Sequence, residues 1–438
     1  MKLSRKEKSK ERYSSPELVI SGRIFYKGRL VSGAVAIVDE RIVKIGRALK
    51  GDVNLDFGDR IILPGFTDIH VHFREPGMEH KENFETGSKA GLRGGITTYF
   101  DMPNTRPPTD RFARIEEKKA IARRKSYSDF GLYALVSEHT EPCSVSNATA
   151  CKIFMSASTE SEEFGDYGKI GETLQKFQGK LIALHPEHKE FIRKTAVKGL
   201  LEHYQARKDA EIEAVKLLTH YSSNNFHLCH ISVPRCIELI EKSEKITFES
   251  TPHHLLLNLK SGIDARYKVN PPLRTEEEQQ TLYKAFQDGR IKILASDHAP
   301  HLPEEKENFE IAPSGMPGVE TMIPLFIFLA KRGELALERI VSGGATNPSE
   351  LVGLEKGKIE VGYYADLTIW EPTDVKEIRD KEVWSKCGWN PFSGWSAVFP
   401  SHVYLRGNLM LQDYEFVGAR KGKYVEELSP GMEDDEKV

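Results

Sequence analysis

Short apolar runs separated by glycines and charged residues characterise both ends of the chain. Near the start these runs are ELVISGRIFY, GAVAIVDE and RIVKIG, and after residue 354 the pattern returns in DLTIW and HVYLRG. Runs of this kind are typical of short antiparallel strands. We therefore predict that residues 16–60 and 355–428 form one composite β-subdomain.

The middle of the chain, residues 61–354, alternates β-rich runs with amphipathic stretches, which predicts βα units around a parallel sheet. The candidate strands are RIILPGFTDIH, ITTYFDMP, FGLYALV, ACKIFM, KLIALH, FHLCH, ITFES and IKILASD. The candidate helices between them include Asp110–Lys125, Asp209–Tyr221, Pro234–Lys245 and Thr275–Asp288. Eight such units over about 290 residues predict an α/β fold, a (β/α)8 TIM barrel with long loops.

Charge and composition narrow the classes of partner. The 438 residues carry 62 Lys plus Arg against 65 Asp plus Glu, a formal net charge of −3, so we expect no general binding to nucleic acid or to a membrane surface. The best apolar run, Ile323 to Ala330, falls far short of the roughly 20 residues that a membrane helix needs. Five cysteines without CxxC spacing indicate reduced thiols and a cytoplasmic location.

Both termini are strongly charged. Residues 1–15 are rich in Lys and Arg with no apolar segment behind them, and residues 429–438 are rich in acidic side chains. We predict a basic flexible tail and an acidic tail, and no secretory signal.

Four residues suited to ligand binding share one predicted strand. In TDIHVHFR, Asp68, His70, His72 and Arg74 stand at every second position. Because successive side chains of a strand alternate between its faces, all four are expected to point the same way. His70 and His72 can then bind one metal ion. A His-x-His pair also occurs by chance on half-buried strands, so this pair gains its weight from its neighbours.

Further ligand-type residues close other predicted strands. His185 ends KLIALH, His230 ends FHLCH and Asp297 ends IKILASD. Barrel enzymes carry their active sites at the C-terminal ends of the strands, so these side chains are expected at one mouth. Imidazoles and carboxylates are ligands that zinc prefers. Each histidine alone is better explained as a hydrogen-bonded core residue, an explanation that weakens because all of them stand at strand ends.

Lys152 is unusual because it lies within the apolar run ACKIFM. Desolvation there favours the neutral amine, which can capture carbon dioxide. The resulting carbamate has two oxygens and could bridge two cations about 3.5–4 Å apart. The alternative is a lysine that extends its ammonium group to solvent from a strand end.

Motifs distributed from about Ile61 to Glu355 resemble the dihydroorotases of the amidohydrolase superfamily. They are DIHVHFREPG, FDMPNTRPP, CKIFM, ALHPE, CHIS, STPHHL, VNPPLR, SDHAPH and PSGMPGVET. The resemblance implies a distorted barrel beside a small composite β-sandwich subdomain from both termini. It also implies two Zn²⁺ per chain, one held by His70, His72 and Asp297, the other by His185 and His230, with carboxylated Lys152 and a hydroxide as bridges.

The same resemblance implies how substrate is bound and turned over. Arg74 offers a planar fork suited to a carboxylate, although a salt bridge at the barrel rim would be the ordinary alternative. Asp297 is the implied catalytic acid–base. The implied substrate contacts are Arg74, Asn104, Asn270, His301, Pro317 and Gly318.

The expected activity is the reversible cyclisation of N-carbamoyl-L-aspartate to (S)-dihydroorotate, a step of de novo pyrimidine biosynthesis. Allantoinase and dihydropyrimidinase share the metal ligands and are close alternatives, distinguished by Arg74 and Asn104. A non-catalytic scaffold is a third alternative, but such homologues lose metal ligands that are present here. The partner is then a small-molecule substrate. The resemblance further suggests a homodimer and leaves association with an aspartate transcarbamoylase open.

Two other positions match ligands of a third zinc in animal relatives. These are Cys229 and Glu249. Strand alternation predicts that Cys229 points away from His230, as a buried structural thiol would.

Overall fold

The fold was analysed in a computed structural model that describes residues 16–157, 162–195 and 197–428. Both predicted tails, residues 1–15 and 429–438, lie outside the described residues. The described strands are β1 Leu18–Tyr26, β2 Arg29–Val38, β3 Arg41–Gly46, β4 Val53–Pro64, β5 Phe66–Val71, β6 Ile96–Asp101, β7 Asp129–Leu135, β8 Ala150–Phe154, β9 Leu181–His185, β10 Phe226–Leu228, β11 Ile246–Ser250, β12 Ile293–Leu294, β13 Leu367–Glu377, β14 Ser396–Leu405, β15 Asn408–Gln412 and β16 Glu415–Phe416.

Eight parallel strands form a nearly closed barrel. They are ordered β5 to β12 as in the chain, and a parallel bridge between Val71 and His298 brings the segment after β12 back to β5. The backbone N–H of His72 donates to the carbonyl of His298 at 2.8 Å beside that bridge. All eight predicted barrel strands are confirmed, and so is the predicted fold class.

Helices connect the barrel strands and cover the outside of the barrel. The α-helices in the described ranges are α1 Phe84–Arg93, α2 Phe112–Lys125, α3 Ile170–Lys176, α4 Leu200–Arg207, α5 Ala210–Thr219, α6 Pro234–Ile240, α7 Pro252–Leu256, α8 Glu276–Gln287, α9 Met322–Lys331, α10 Leu337–Val341 and α11 Asn347–Leu351. The four helices predicted by residue range are confirmed, with α6 ending five residues early. Within the described ranges, no helix combines the length and apolar character that crossing a membrane requires.

The second sheet draws four strands from each end of the chain. Its order is β16-β15-β14-β13-β4-β1-β2-β3, so the N-terminal strands pair with the C-terminal ones through β4 and β13. The composite subdomain is thus present, while its exact boundaries at residues 60 and 355 stay a prediction. The first predicted barrel strand divides at Gly65, where a Cβ would lie 2.4 Å from the hydroxyl of Thr97. The strand therefore passes from one sheet to the other at a residue without a side chain.

Side-chain alternation along the barrel strands separates the interior from the helix-packed exterior. On β8, Ala150 belongs to the inner apolar cluster, whereas Cys151 and Ile153 belong to the larger cluster between strands and helices. Lys152 therefore shares the inner face with Ala150, as the strand period of two requires. The same alternation places Ala183 inside and Leu184 outside on β9.

A buried ionic network joins the barrel to the second sheet. Lys356 Nζ lies 2.6 Å from carboxylate oxygens of both Asp129 and Asp366, and all three side chains are almost fully buried. Arg406 donates to Asp129 as well, and its backbone N–H donates to Asp366 at 2.8 Å. Burial raises the pKa of Asp129, but Lys356 and then Arg406 outweigh it, so the pKa is lowered overall. The Asp129 carboxylate is therefore held as an anion beside Lys356 and Arg406.

Replacing Lys356 with methionine should destabilise the fold strongly. The change keeps the aliphatic stem but leaves two buried carboxylates short of a cation, a defect that typically costs about 3–5 kcal/mol. Urea or guanidinium unfolding would measure the loss. Lys358→Met is the matched control, because Lys358 pairs with Glu350 at the surface and such pairs contribute about 0–1 kcal/mol. Equal stability losses in the two variants would contradict the structural role of the network.

Candidate metal centre

The C-terminal ends of the barrel strands surround one cavity, as the sequence predicts. All six predicted metal ligands line it: His70, His72, Lys152, His185, His230 and Asp297. Arg74, Asn104 and Asn270 line the same cavity. The cavity therefore combines a candidate metal centre with candidate substrate contacts.

His70, His72 and Asp297 converge on a single point. Oδ1 of Asp297 lies 3.3 Å from His70 Nε2 and 3.2 Å from His72 Nε2. Tetrahedral zinc with bonds of about 2.0–2.1 Å separates its ligand atoms by roughly 3.3 Å. The three donor atoms therefore have the spacing of a metal site, and their types suit zinc.

His185 and His230 form a second convergent pair. His185 Nδ1 lies 2.9 Å from His230 Nε2, so both ring nitrogens face a common position. The other nitrogen of His230, Nδ1, is buried and has no hydrogen-bond partner among the described residues. Burial first, and then His185, lowers the pKa of His230 well below its usual range. His230 is therefore neutral, as a metal-binding imidazole must be.

Hydrogen-bond acceptors determine which ring nitrogen of His70, His72 and His185 faces the cavity. His70 Nδ1 lies 2.6 Å from Glu249 Oε1, and His72 Nδ1 lies 2.7 Å from the Asn104 side-chain oxygen. In each case Nδ1 donates, so the lone pair is on Nε2, the atom that faces Asp297. Such outer hydrogen bonds fix the tautomer of metal-binding histidines. Asn104, predicted as a substrate contact, therefore also orients a metal ligand.

Glu187 orients His185 so that its other ring nitrogen, Nδ1, faces the cavity. Its Nε2 lies 2.9 Å from Glu187 Oε2, which leaves the Nδ1 lone pair towards His230. Burial raises the pKa of Glu187, but Arg207 and the His185 contact outweigh it, and the pKa lies well below the usual range. Glu187 is thus an anionic acceptor. The prediction from sequence missed it, although Glu187 lies only two residues beyond His185, the last residue of β9.

Three residues of the site have left-handed backbone conformations. The φ angles are 63° for Arg74, 40° for His230 and 45° for Asp297. Residues other than glycine adopt this region rarely, and such strain clusters at functional sites. After β10, the conformation of His230 brings two consecutive side chains into the barrel. Strand alternation directs Cys229 inward, and the positive φ of His230 turns its ring into the same cavity. The expectation that Cys229 points away from the site is therefore wrong.

Lys152 is fully buried between the two groups of histidines. Its Nζ donates to Cys229 Sγ at 2.8 Å. Cys229 in turn lies with His70 and Glu249 in a second cluster of convergent donor atoms. The location excludes a lysine that reaches solvent, because the side chain ends inside the barrel.

The opposite wall of the cavity is polar and rigidly built. Arg74 donates through Nε to the carbonyl of Pro300 at 3.2 Å, and its Nη2 lies 3.2 Å from His301 Nε2. Ser314 donates to the side-chain oxygen of Asn270 at 3.1 Å. Gly315 completes this wall, where a Cβ would lie 2.5 Å from the carbonyl of Ala299. The loop can therefore approach the cavity only because this residue is glycine.

Not every predicted substrate contact reaches the cavity. His301, Pro317 and Gly318 are buried and are not part of its lining. Gly318 instead donates its backbone N–H to His298 Nδ1 at 3.1 Å. Ser314, which the sequence did not single out, stands where these contacts were expected. No periodic signal marks it, because its position depends on how the loop folds back over β12.

Four imidazoles, a carboxylate and a buried lysine line one cavity at the C-terminal ends of a parallel barrel. This combination is typical of a barrel metallohydrolase. The amidohydrolase family model matches residues 61–410. The dihydroorotase of Archaeoglobus fulgidus is 36% identical over 407 residues, 90% of this chain and 97% of the relative. That of Thermoplasma acidophilum is 35% identical, with 93% and 97% covered. The chain belongs to the amidohydrolase family and, within it, to the dihydroorotase family.

Solved structures of similar fold include hydantoinases. An L-hydantoinase (dihydropyrimidinase) from Arthrobacter aurescens superposes with a TM-score of 0.88 at 25% identity, covering 93% of this chain and 99% of its own. A D-hydantoinase (dihydropyrimidinase) from Thermus sp. gives 0.84 at 28% identity, covering 93% and 98%. The overall fold of the chain is thus shared with these hydantoinases.

Proposed function

We propose that this chain is a dihydroorotase, which closes N-carbamoyl-L-aspartate to (S)-dihydroorotate and reopens the ring in de novo pyrimidine biosynthesis. Membership of the dihydroorotase family supports a cyclic amide hydrolase. The observation that carries the substrate is the position of Arg74, which lines the same cavity as the histidines and lies 3.2 Å from the buried His301. The planar guanidinium of Arg74 suits the ring carboxylate that distinguishes dihydroorotate from uncharged rings.

The residues present fit a pair of zinc ions. His70, His72 and Asp297 would hold one ion, and His185 and His230 the other, with a Lys152 carbamate between them. The spacing and the tautomers described above support this assignment. When bound, the metal pair would polarise the amide carbonyl and lower the pKa of water at the site.

The chain's own groups would orient and protonate the substrate. Arg74 and His301 hold the carboxylate, and Asn270 with Ser314 lies where the ring would rest. Asp297 would take a proton from water during ring opening and deliver it to the departing ring nitrogen. Ring closure uses the same group in reverse, so one carboxylate serves both directions.

Dihydropyrimidinase activity is the nearest alternative, since the hydantoinase structures share the fold. Against it stands Arg74, which is 1% exposed. A buried guanidinium penalises a substrate that offers no acceptor for it. A non-catalytic scaffold is disfavoured because all six candidate ligands line one cavity.

Substrate selection tests the assignment. The wild-type chain should open dihydroorotate far faster than dihydrouracil or allantoin. Arg74→Lys should raise the KM for dihydroorotate by roughly 10–100-fold, the scale of a charged hydrogen bond, because the bidentate geometry is lost. Arg74→Met should raise it further, while the low rate with dihydrouracil should change little. Comparable rates on all three wild-type substrates, or an unchanged KM in Arg74→Met, would refute the proposal.

Two further features belong to this proposal. All five cysteines are free thiols, which agrees with a cytoplasmic enzyme. We propose a homodimer, and association with an aspartate transcarbamoylase is the accompanying prediction. Sedimentation of the purified chain, alone and with that enzyme, would measure both.

A further inference from the structure

A buried lysine contacts the main chain of the loop that closes one wall of the cavity. Lys306 Nζ donates to the backbone carbonyls of Pro313 at 2.8 Å and Gly315 at 2.9 Å. It also donates to the carbonyl of Lys268 at 3.1 Å. The Lys306 side chain is almost fully buried. These three acceptors are all backbone carbonyls, so Lys306 holds the path of the main chain.

The two carbonyls from the loop stand on either side of Ser314. Ser314 and Gly315 line the cavity, whereas Lys306 does not. The hydroxyl of Ser314 donates to the side-chain oxygen of Asn270, another lining residue, at 3.1 Å. Lys306 therefore contacts the main chain that carries the lining residues and not the space that the substrate would occupy.

The third carbonyl belongs to another segment of the cavity wall. The carbonyl of Lys268 accepts from Lys306 Nζ and from the backbone N–H of Gly315 at 2.9 Å. One nitrogen atom thus joins two wall segments, residues 268–270 and 313–315.

The three hydrogen bonds require the ammonium form of Lys306. Burial first, and then Lys268, lowers the pKa of Lys306 to about 7, so the ammonium form predominates below pH 7. An ammonium group has three N–H donors for the three carbonyls. A neutral amine has two, and its lone pair would face the remaining oxygen. The charged form therefore matches the two wall segments better than the neutral one.

We propose that Lys306 is a positioning residue that joins the two wall segments and so sets where Ser314 and Asn270 lie in the cavity. The inference rests on the proposed function, because the expected occupant of this wall is the ring of dihydroorotate. None of the three carbonyls belongs to a candidate metal ligand. Loss of Lys306 should therefore weaken substrate binding and leave the metal centre in place.

Lys306→Met tests the proposal. Methionine keeps most of the apolar stem and removes the three N–H donors. The KM for dihydroorotate should rise roughly 10-fold, the scale of a lost hydrogen bond from a charged group, while kcat stays within about 3-fold. The zinc content should not change. Steady-state kinetics just below pH 7, where Lys306 is mostly protonated, and elemental analysis would measure these quantities.

Hydrogen exchange tests the same link without substrate. The amide of Gly315 donates to the carbonyl of Lys268, and it should exchange faster in Lys306→Met because the two wall segments are no longer joined. Lys306→Gln keeps two N–H donors on a shorter chain, so its exchange rate and its KM should lie between those of the wild type and Lys306→Met. It also supplies the test if the methionine variant does not fold.

Two further variants separate positioning from a general loss of a lysine. Lys180 also donates to a backbone carbonyl, that of Ser146 at 2.8 Å, but it directly precedes β9 and so lies at the barrel end opposite the cavity. The KM of Lys180→Met should equal that of the wild type. In a Ser314→Ala background, Lys306→Met should raise the KM by a smaller factor, because residues that act through one contact are not additive.

The outcomes distinguish the inference from the proposed function. An unchanged KM in a folded Lys306 variant overturns the inference alone, provided that the wild type opens dihydroorotate. So does an equal rise in KM with and without the Ser314 hydroxyl, and so does a joint fall of kcat and zinc content, which would indicate a general structural role. If the wild type fails to open dihydroorotate, the proposed function is removed, and unchanged Gly315 exchange in Lys306→Met still overturns the link between the wall segments.

Discussion

Replacing Lys152 with alanine is expected to abolish turnover and to lower the metal content from about two zinc ions per chain. The proposed carbamate would form from the Lys152 amine and carbon dioxide with loss of a proton, and alanine has no amine. Without it nothing bridges the His70–His72–Asp297 group to the His185–His230 pair. Elemental analysis and a dihydroorotate assay on the same preparation would measure both losses.

Chemical rescue sharpens this test. Acetate or propionate should partly restore activity to Lys152→Ala, because a small carboxylate can enter the space and supply two oxygens. Lys152→Met is the matched control: its side chain fills that space, so rescue should fail. Lys152→Asp should retain more activity than Lys152→Ala. Near-wild-type turnover in Lys152→Ala would disprove the carbamate, and a metal-replete wild type with one ion or none would disprove the paired centre.

Asp297→Asn should lower kcat by about 10²–10⁴-fold, the usual contribution of a general acid–base group. Asparagine keeps the shape of the side chain, but its amide cannot carry the proton between water and the ring nitrogen. The KM for dihydroorotate should change little, because the proposed contact for the carboxylate of the substrate is Arg74 and not Asp297. Steady-state kinetics with metal counted in the same sample would measure the effect.

The metal content of the variant must be measured because Asp297 is also a candidate metal ligand. Its Oδ1 lies 3.3 Å from His70 Nε2 and 3.2 Å from His72 Nε2. Asp297→Ala removes both the proton carrier and the ligand oxygen, so it should lose metal as well as activity. If Asp297→Asn retained metal and turned over within about 3-fold of wild type, the proton-transfer role would be excluded, since general acid–base groups contribute far more than that.

The polypeptide sequence was sufficient to predict the barrel and most of its mouth. Hydrophobic periodicity is a local property, so strands such as β8 and β9 and helices such as α8 could be located from it. The ends of parallel strands necessarily meet at one edge of the sheet. Residues at those ends, such as His185, could therefore be assigned to a common site from the sequence alone.

Contacts between distant segments could not be predicted in this way. His70 and Glu249 are 179 positions apart, and the Lys356 network joins Asp129 to Asp366 and Arg406, which come from the other end of the chain. No repeat or spacing in the sequence relates such residues. The placement of Ser314 in the cavity and of Gly318 behind it likewise depends on one loop path.

The sequence by itself therefore determined the fold class and which residue types stand at the strand ends. Only the tertiary structure decided which nitrogen of each histidine faces the cavity, because a tautomer is set by the acceptor or donor on the far side of the ring. Those partners, Glu187, Glu249 and Asn104, are brought there by packing. The wrong side was predicted for Cys229 because His230 was treated as part of the regular strand. Alternation directs Cys229 inward, and the positive φ of His230, beyond the end of β10, turns the His230 ring into the same cavity.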